Sequence, residues 1–126
     1  MRMTVLVVDD NRGVRDALQI ILEEEGYEVR TAADGAEALE AVQAQPPDLL
    51  LIDLEMPVMN GWELRRRLCA LGVRTPTVVM TAGGAGRVID ECPVQGHLAK
   101  PFTVEELLQT VARIAPPPSS STGSAA

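Results

Sequence analysis

A doubly wound α/β domain with a parallel sheet is the fold this chain predicts, on three observations. Short apolar runs alternate with amphipathic segments along its length, the pattern of repeated βα units. Four of the five apolar runs give way at their carboxyl ends to polar residues: Asp9 and Asp10, Asp53, Thr81, and Lys100. At 126 residues and 46% hydrophobic content the chain suits one domain with an ordinary core.

Thr4 to Val8 is the first predicted strand. Val14, Ala17, Leu18, Ile21 and Leu22 then fall on one face of a helix that Gly26 ends. Tyr27 to Ala32 interleaves polar with apolar residues, as an edge strand does. Asp34-x-x-Glu37 is a capping-box pattern opening a helix to about Ala44, and Pro46-Pro47 closes it. Leu49 to Ile52 is the most apolar strand and so takes the centre of the sheet. Asn60-x-x-Glu63 opens the next helix, with Leu64, Leu68 and Leu71 inward and Arg65, Arg66 and Arg67 mostly outward. Pro76 to Met80 is a fourth strand, followed by the glycine-rich Thr81 to Gly86 and a weak helix over Arg87 to Glu91 that Pro93 stops. Gly96 to Ala99 is a short fifth strand, and Thr103-x-x-Glu106 caps a last helix with Val104, Leu107, Leu108 and Val111 on one face. Five strands and five helices in alternation, the fourth helix shortened, make one domain over residues 1–114. Residues 115–126, rich in Pro and Ser, are expected to form a disordered tail or linker, since they hold too little apolar surface to fold.

Composition removes several classes of function. Three aromatic residues, Tyr27, Trp62 and Phe102, leave no stacking platform for single-stranded nucleic acid. A net charge of −7 argues against a nucleic-acid backbone or an anionic membrane as partner, while a cation remains acceptable. No run approaches a membrane span, and Val5 to Val8 is too short for a secretory leader, so a cytoplasmic protein is expected. Cys69 and Cys92 match no metal or disulfide spacing, so free thiols in a reducing compartment are expected.

In open α/β sheets functional groups gather just past the carboxyl ends of the strands, where strand order reverses. Asp9, Asp10, Asp53, Thr81 and Lys100 all fall at such ends. Singly, each has a bland explanation: an aspartate there is commonly a turn former or cap, and Asp10 or Asn11 suits the first helix. A strand-end threonine commonly bonds backbone, and a lone lysine is commonly solvated. Together they describe a pocket. Three converging carboxylates repel and raise at least one pKa unless a cation or Lys100 compensates. Their hard oxygens suit Mg²⁺, with water completing an octahedron. A divalent ion and one ammonium would let the pocket receive a phosphoryl group on a carboxylate, with the Thr81 hydroxyl as a further donor.

The ordered motifs VLVVDDN, LLIDLEMPVMNG, VVMTA and LAKPF resemble the receiver domain of two-component response regulators, over roughly residues 3–114. The resemblance implies a flavodoxin-like sheet of order 2-1-3-4-5. It implies Asp53 as phosphoacceptor, charged by the phosphohistidine of a sensor histidine kinase or a histidine phosphotransfer protein. Asp9 and Asp10 would hold Mg²⁺ together with Asp53, the backbone carbonyl of Glu55 adding a ligand. Thr81 would bond a phosphoryl oxygen, Lys100 would pair with it, and the Lys100–Pro101 bond would be cis, as is typical of the family. Phosphorylation would draw Thr81 inward, and the family fills the vacated space with an aromatic residue. Here that position is His97, whose alternative is an exposed imidazole with no role; as a switch residue it would make the response depend on pH. Output would be docking to a downstream effector protein, by a monomer or a weak phosphorylation-dependent dimer. The chain would phosphorylate and dephosphorylate itself as a switch, with no turnover activity. A stand-alone receiver and a receiver followed by a linker both suit the sequence.

Two features depart from the family pattern. Glu55, two residues past the acceptor, is expected to alter the lifetime of the phosphorylated state, its carboxylate engaging the metal or Lys100. The stretch from Thr81 to Lys100 is a few residues shorter than usual, and the missing residues fall in the fourth helix. Three other functions compete. A phosphorylation-independent interaction module of receiver type stays open because of both departures. A haloacid-dehalogenase-type phosphatase is faintly echoed by Asp53-Leu54-Glu55, but a complete βα unit carrying Asp9-Asp10 precedes that motif. A nucleotide binder is weaker still, since the first loop is acidic where a phosphate nest would be needed.

Overall fold

Runs of Val, Leu and Ile form the strands, and the amphipathic segments between them form helices. A computed structural model describes residues 2–82 and 94–117. Its elements run β1 (Thr4–Val8), α1 (Arg12–Glu24), β2 (Glu28–Ala32), α2 (Gly35–Ala44), β3 (Leu49–Asp53), α3 (Gly61–Ala70), β4 (Thr77–Thr81), β5 (Gly96–Ala99) and α4 (Val104–Ile114). The strands pair in parallel in the order β2-β1-β3-β4-β5. As the sequence predicts, β3 is central and buried at every residue, while β2 is an edge. Strand order reverses between β1 and β3, so the crevice at their carboxyl ends is open to side chains from both. Four helices stand among the described residues where five were expected; the short helix expected at Arg87–Glu91 falls outside them.

Alternation along the strands divides the core. Val5, Val7, Leu49, Leu51, Val78 and Met80 point to one face, where Leu18 and Leu22 of α1 and Leu107 and Val111 of α4 cover them. Leu6, Val8, Leu50 and Ile52 point to the other, beneath Ala38 and Val42 of α2 and Leu64 and Leu68 of α3. Each helix starts on a side-chain cap, from Asn11, Asp34, Asn60 and Thr103 in turn, and Thr103 with Glu106 forms a reciprocal capping box. No helix among the described residues is long and apolar enough to cross a membrane.

Several side chains depart from the helical faces drawn above. Arg65 is buried, and burial pulls its pKa below the ordinary value. Gly61, Leu64, Arg65 and Leu68 fall at i, i+3, i+4 and i+7, so periodicity alone places the arginine on the inner stripe whatever its charge. Leu71 is exposed because it is the C-cap of α3, past the last inward turn. Val104 is exposed in the first turn of α4, and Ala17 is exposed at the margin of α1's apolar face. Cys69 is disulfide-bonded, not a free thiol; the chain's other cysteine, Cys92, lies outside the described residues. The pairing depends on tertiary proximity, to which sequence spacing is blind.

The chain just past α4 packs onto the fold. Ala115 is buried, and its carbonyl accepts a 2.7 Å hydrogen bond from the Tyr27 hydroxyl. Burial, with help from the charge of Glu25, pushes the Tyr27 pKa up to about 12, so the hydroxyl remains a donor. Tyr27→Phe should therefore strand a buried carbonyl and cost about 1–2 kcal/mol, read as a lower urea midpoint at unchanged slope; an unchanged midpoint would mean that water replaces the hydroxyl.

Between β3 and α3 the backbone turns hard. Met59 N–H bonds to the Pro57 carbonyl at 2.7 Å across Val58, whose φ of 68° is unusual for a β-branched residue. The Gly61 N–H then bonds to the Leu54 carbonyl and closes the loop. A Cβ on Gly61 would lie 2.7 Å from the Asp53 carbonyl oxygen and 2.9 Å from Leu54 Cα. Only glycine lets α3 start this close to the end of β3. Gly61→Ala should cost about 1–3 kcal/mol by overpacking and shift the backbone amide resonances of Asp53 and Leu54; wild-type stability with unshifted resonances would show that the close approach is not needed.

Candidate functional site

The carboxyl ends of β1, β3, β4 and β5 bring the sequence-predicted residues together. Asp53, the last residue of β3, is 2% exposed. Its Oδ1 accepts from Lys100 Nζ at 3.1 Å and from the Glu55 N–H at 3.2 Å. Asp9, just past β1, is 1% exposed; its Oδ1 accepts from the Asn11 N–H at 2.9 Å. Its Oδ2 is buried, lacks a hydrogen-bond partner and lies 3.7 Å from Lys100 Nζ. Asp10 is exposed beside it. One carboxylate oxygen from each of Asp9, Asp10 and Asp53 lies within 4.8 Å of the others.

The charges explain the acid–base state. Burial pushes the Asp53 carboxyl above the usual carboxylate range, and the charge of Asp9 acts in the same direction; Lys100 and the Glu55 N–H only partly offset them. Burial alone would lower the Lys100 pKa, but its bond to Asp53 and the charges of Asp53, Asp9 and Glu55 carry it above the ordinary value. One ammonium thus serves a pocket with several carboxylates. The hydrogen-bond orphan Asp9 Oδ2, the exposed Asp10 and the all-oxygen donor set suit a hard divalent cation with water in its remaining positions.

Thr81 ends β4 and is buried, and its carbonyl accepts from the Lys100 N–H at 2.7 Å. The Lys100–Pro101 peptide bond is cis. The Glu55 carboxylate turns to β4: one oxygen accepts from the Thr81 hydroxyl at 3.2 Å and the other from the Ala82 N–H at 3.0 Å. The sequence offers the metal or Lys100 as partner for this carboxylate; its hydrogen bonds go to the β4 end instead. His97 is exposed on β5, opposite Val79. It lines a cavity of about 320 Å³ with Phe102, Glu106 and Thr110, away from the acidic group.

Two contributors escape sequence reasoning. Arg15 of α1 bonds the Asp9 carbonyl through Nη1 at 2.8 Å, and its only signal is a position one helical turn past the Asn11 cap. The Ala82 N–H is a main-chain donor, invisible in any side-chain inventory.

Comparison with known proteins agrees with this geometry. Residues 5–112 match the family model described as response regulator receiver domain. The chain is 35% identical over 119 residues to sporulation initiation phosphotransferase F of Bacillus subtilis (strain 168), covering 92% of this chain and 96% of that protein. It is 41% identical over 111 residues to response regulator MprA of Mycobacterium ulcerans (strain Agy99), covering 86% of this chain and 48% of the relative, so it spans about half that protein's length. The solved chemotaxis protein CheY4 of Vibrio cholerae superposes with a TM-score of 0.83 at 35% identity, over 90% of this chain and 99% of that one. With a family model spanning most of the sheet and its strand-end residues, this chain belongs to the response regulator receiver domain family of two-component signalling.

Proposed function

We propose that this receiver is a phosphorylation-dependent signalling switch in which Asp53 accepts a phosphoryl group from the phosphohistidine of a sensor histidine kinase or a histidine phosphotransfer protein. The observation that carries this is a buried strand-end carboxylate bonded to a lysine, beside a carboxylate oxygen that is buried without a hydrogen-bond donor. Asp9, Asp10 and Asp53, with the backbone carbonyl of Glu55, would hold Mg²⁺. The ion supplies charge neutralisation for the incoming phosphoryl oxygens. The Asp53 carboxylate oxygen attacks phosphorus, the P–N bond of the phosphohistidine breaks, and its electron pair leaves with the imidazole. Lys100 pairs with a phosphoryl oxygen and Thr81 donates to another. Water later attacks phosphorus and releases inorganic phosphate, so the chain resets itself without acting as a turnover enzyme. The name of the Bacillus relative, a phosphotransferase, supports onward transfer as one output; docking to an effector protein is the other. With a net charge of −7, proteins are better partners for it than nucleic acid or membrane. It works in the cytoplasm as a monomer or a weak dimer that phosphorylation favours.

Intact mass after incubation with acetyl phosphate is the direct test. A single phosphoryl adduct that needs Mg²⁺ and is absent from Asp53→Asn is expected. No adduct on the wild type would leave a phosphorylation-independent interaction module as the better reading.

Stability gives a second, independent check. The Asp53 carboxyl titrates higher in the folded chain than in the unfolded one. Between those two pKa values the native state holds more protons, so stability falls as pH rises through the window and stays lower above it. At neutral pH without metal, Asp53→Asn should melt at a higher temperature than the wild type, and Mg²⁺ should raise the wild type's midpoint by more than the variant's. A variant that melts lower in metal-free buffer would show that the carboxylate is a net stabiliser.

A further inference from the structure

We propose that the Glu55 carboxylate is a built-in stand-in anion: it holds the donors at the end of β4 until a phosphoryl group displaces it. The inference rests on Asp53 being the phosphoacceptor and concerns how that site is regulated. Its two oxygens each take a different donor, the Thr81 hydroxyl at 3.2 Å and the Ala82 N–H at 3.0 Å. At the same time the Glu55 N–H is bonded to Asp53 Oδ1. One residue thus ties the acceptor carboxylate through its main chain and the neighbouring strand end through its side chain.

A phosphoryl group on Asp53 brings oxygens that need donors in the space between β3 and β4, where Asp53 lies beside Met80 in register and Thr81 follows. Lys100 can meet one of them. Among the described residues the donors on the β4 side are the Thr81 hydroxyl and the Ala82 amide, and both are engaged by Glu55. Charge adds to the competition, because a phosphoryl group and a carboxylate this close repel, and Lys100 is already shared between Asp53 and Asp9. Phosphorylation is then an exchange of anions at one pair of donors. Glu55 is a positioning residue that opposes gain of the phosphoryl group and, by returning to its donors, favours its loss. It also keeps Thr81 bonded to an anion while the chain is unphosphorylated.

The test uses the full chain, uniformly ¹⁵N-labelled, as wild type, Glu55→Ala and Glu55→Gln, titrated with beryllofluoride at saturating Mg²⁺. Without beryllofluoride, the Ala82 amide should move upfield in Glu55→Ala and exchange with solvent roughly 10-fold faster. Beryllofluoride affinity should rise on the order of 10-fold in Glu55→Ala, the equivalent of one lost hydrogen bond to a charged group, and by less in Glu55→Gln, which keeps an acceptor without the charge. An unmoved Ala82 amide, or an affinity unchanged or weakened in Glu55→Ala while the wild type binds, would overturn the stand-in role and leave the phosphoacceptor assignment intact. Failure of all three proteins to bind beryllofluoride would overturn both.

Discussion

The constraint on which this molecule turns is a carboxylate held at the end of a fully buried strand. β3 is covered on both faces and flanked by β1 and β4, so Asp53 is largely cut off from water as soon as the sheet forms. An ionised group there needs donors, and only a few can reach. Lys100 arrives because β5 pairs with β4 in a register that brings the Lys100 N–H to the Thr81 carbonyl. The Glu55 N–H arrives because the chain turns at once after the strand. Gly61 permits that turn, since α3 must start against the backbone of Asp53 and Leu54. Strand order, loop geometry and one glycine therefore all converge on the environment of a single side chain.

Among the described residues, those donors leave the pocket short of positive charge. Asp53 and Asp9 share one ammonium, and Arg15 bonds the Asp9 carbonyl, so Asp9 Oδ2 has no hydrogen-bond donor. An all-acidic cluster of this kind is costly alone and favourable around a cation. On the proposed function, a divalent ion held there would offset the cluster's charge and make an anionic phosphoryl donor acceptable. Burial first, and then the charge of Asp9, explain why the Asp53 pKa rises despite two hydrogen bonds to it.

Strand positions were legible in the sequence because each strand is an apolar run with a sharp polar end. The site was legible for the same reason: Asp9, Asp53, Thr81 and Lys100 are the residues at which those runs stop, and a parallel sheet must line up its carboxyl ends. Helix faces were legible only where residue type and periodicity agree. At Arg65 they conflict, and position wins; at Leu71 and Val104 the apolar type suggests burial, but the residue lies where the helix has outrun the layer that covers it. The direction of the Glu55 side chain was out of reach, since it depends on where a neighbouring strand ends and on a main-chain amide. The Cys69 disulfide was out of reach because sequence spacing does not report disulfide pairing.

Thr81 is where these links meet. Its hydroxyl is bonded to Glu55, on the loop that follows β3; its carbonyl is bonded to the N–H of Lys100, the residue that touches Asp53 from the other side; and the next amide is bonded to Glu55 again. The end of β4 is therefore tied to Asp53 by two routes that both start at Oδ1, one through Glu55 to the Thr81 hydroxyl and one through Lys100 to the Thr81 carbonyl. A phosphoryl group on Asp53 would disturb both at once, drawing Lys100 to new oxygens and pushing Glu55 off its donors. Neither disturbance can relax into the core, because the inner residues of β3 and β4 are close-packed with no exposed surface.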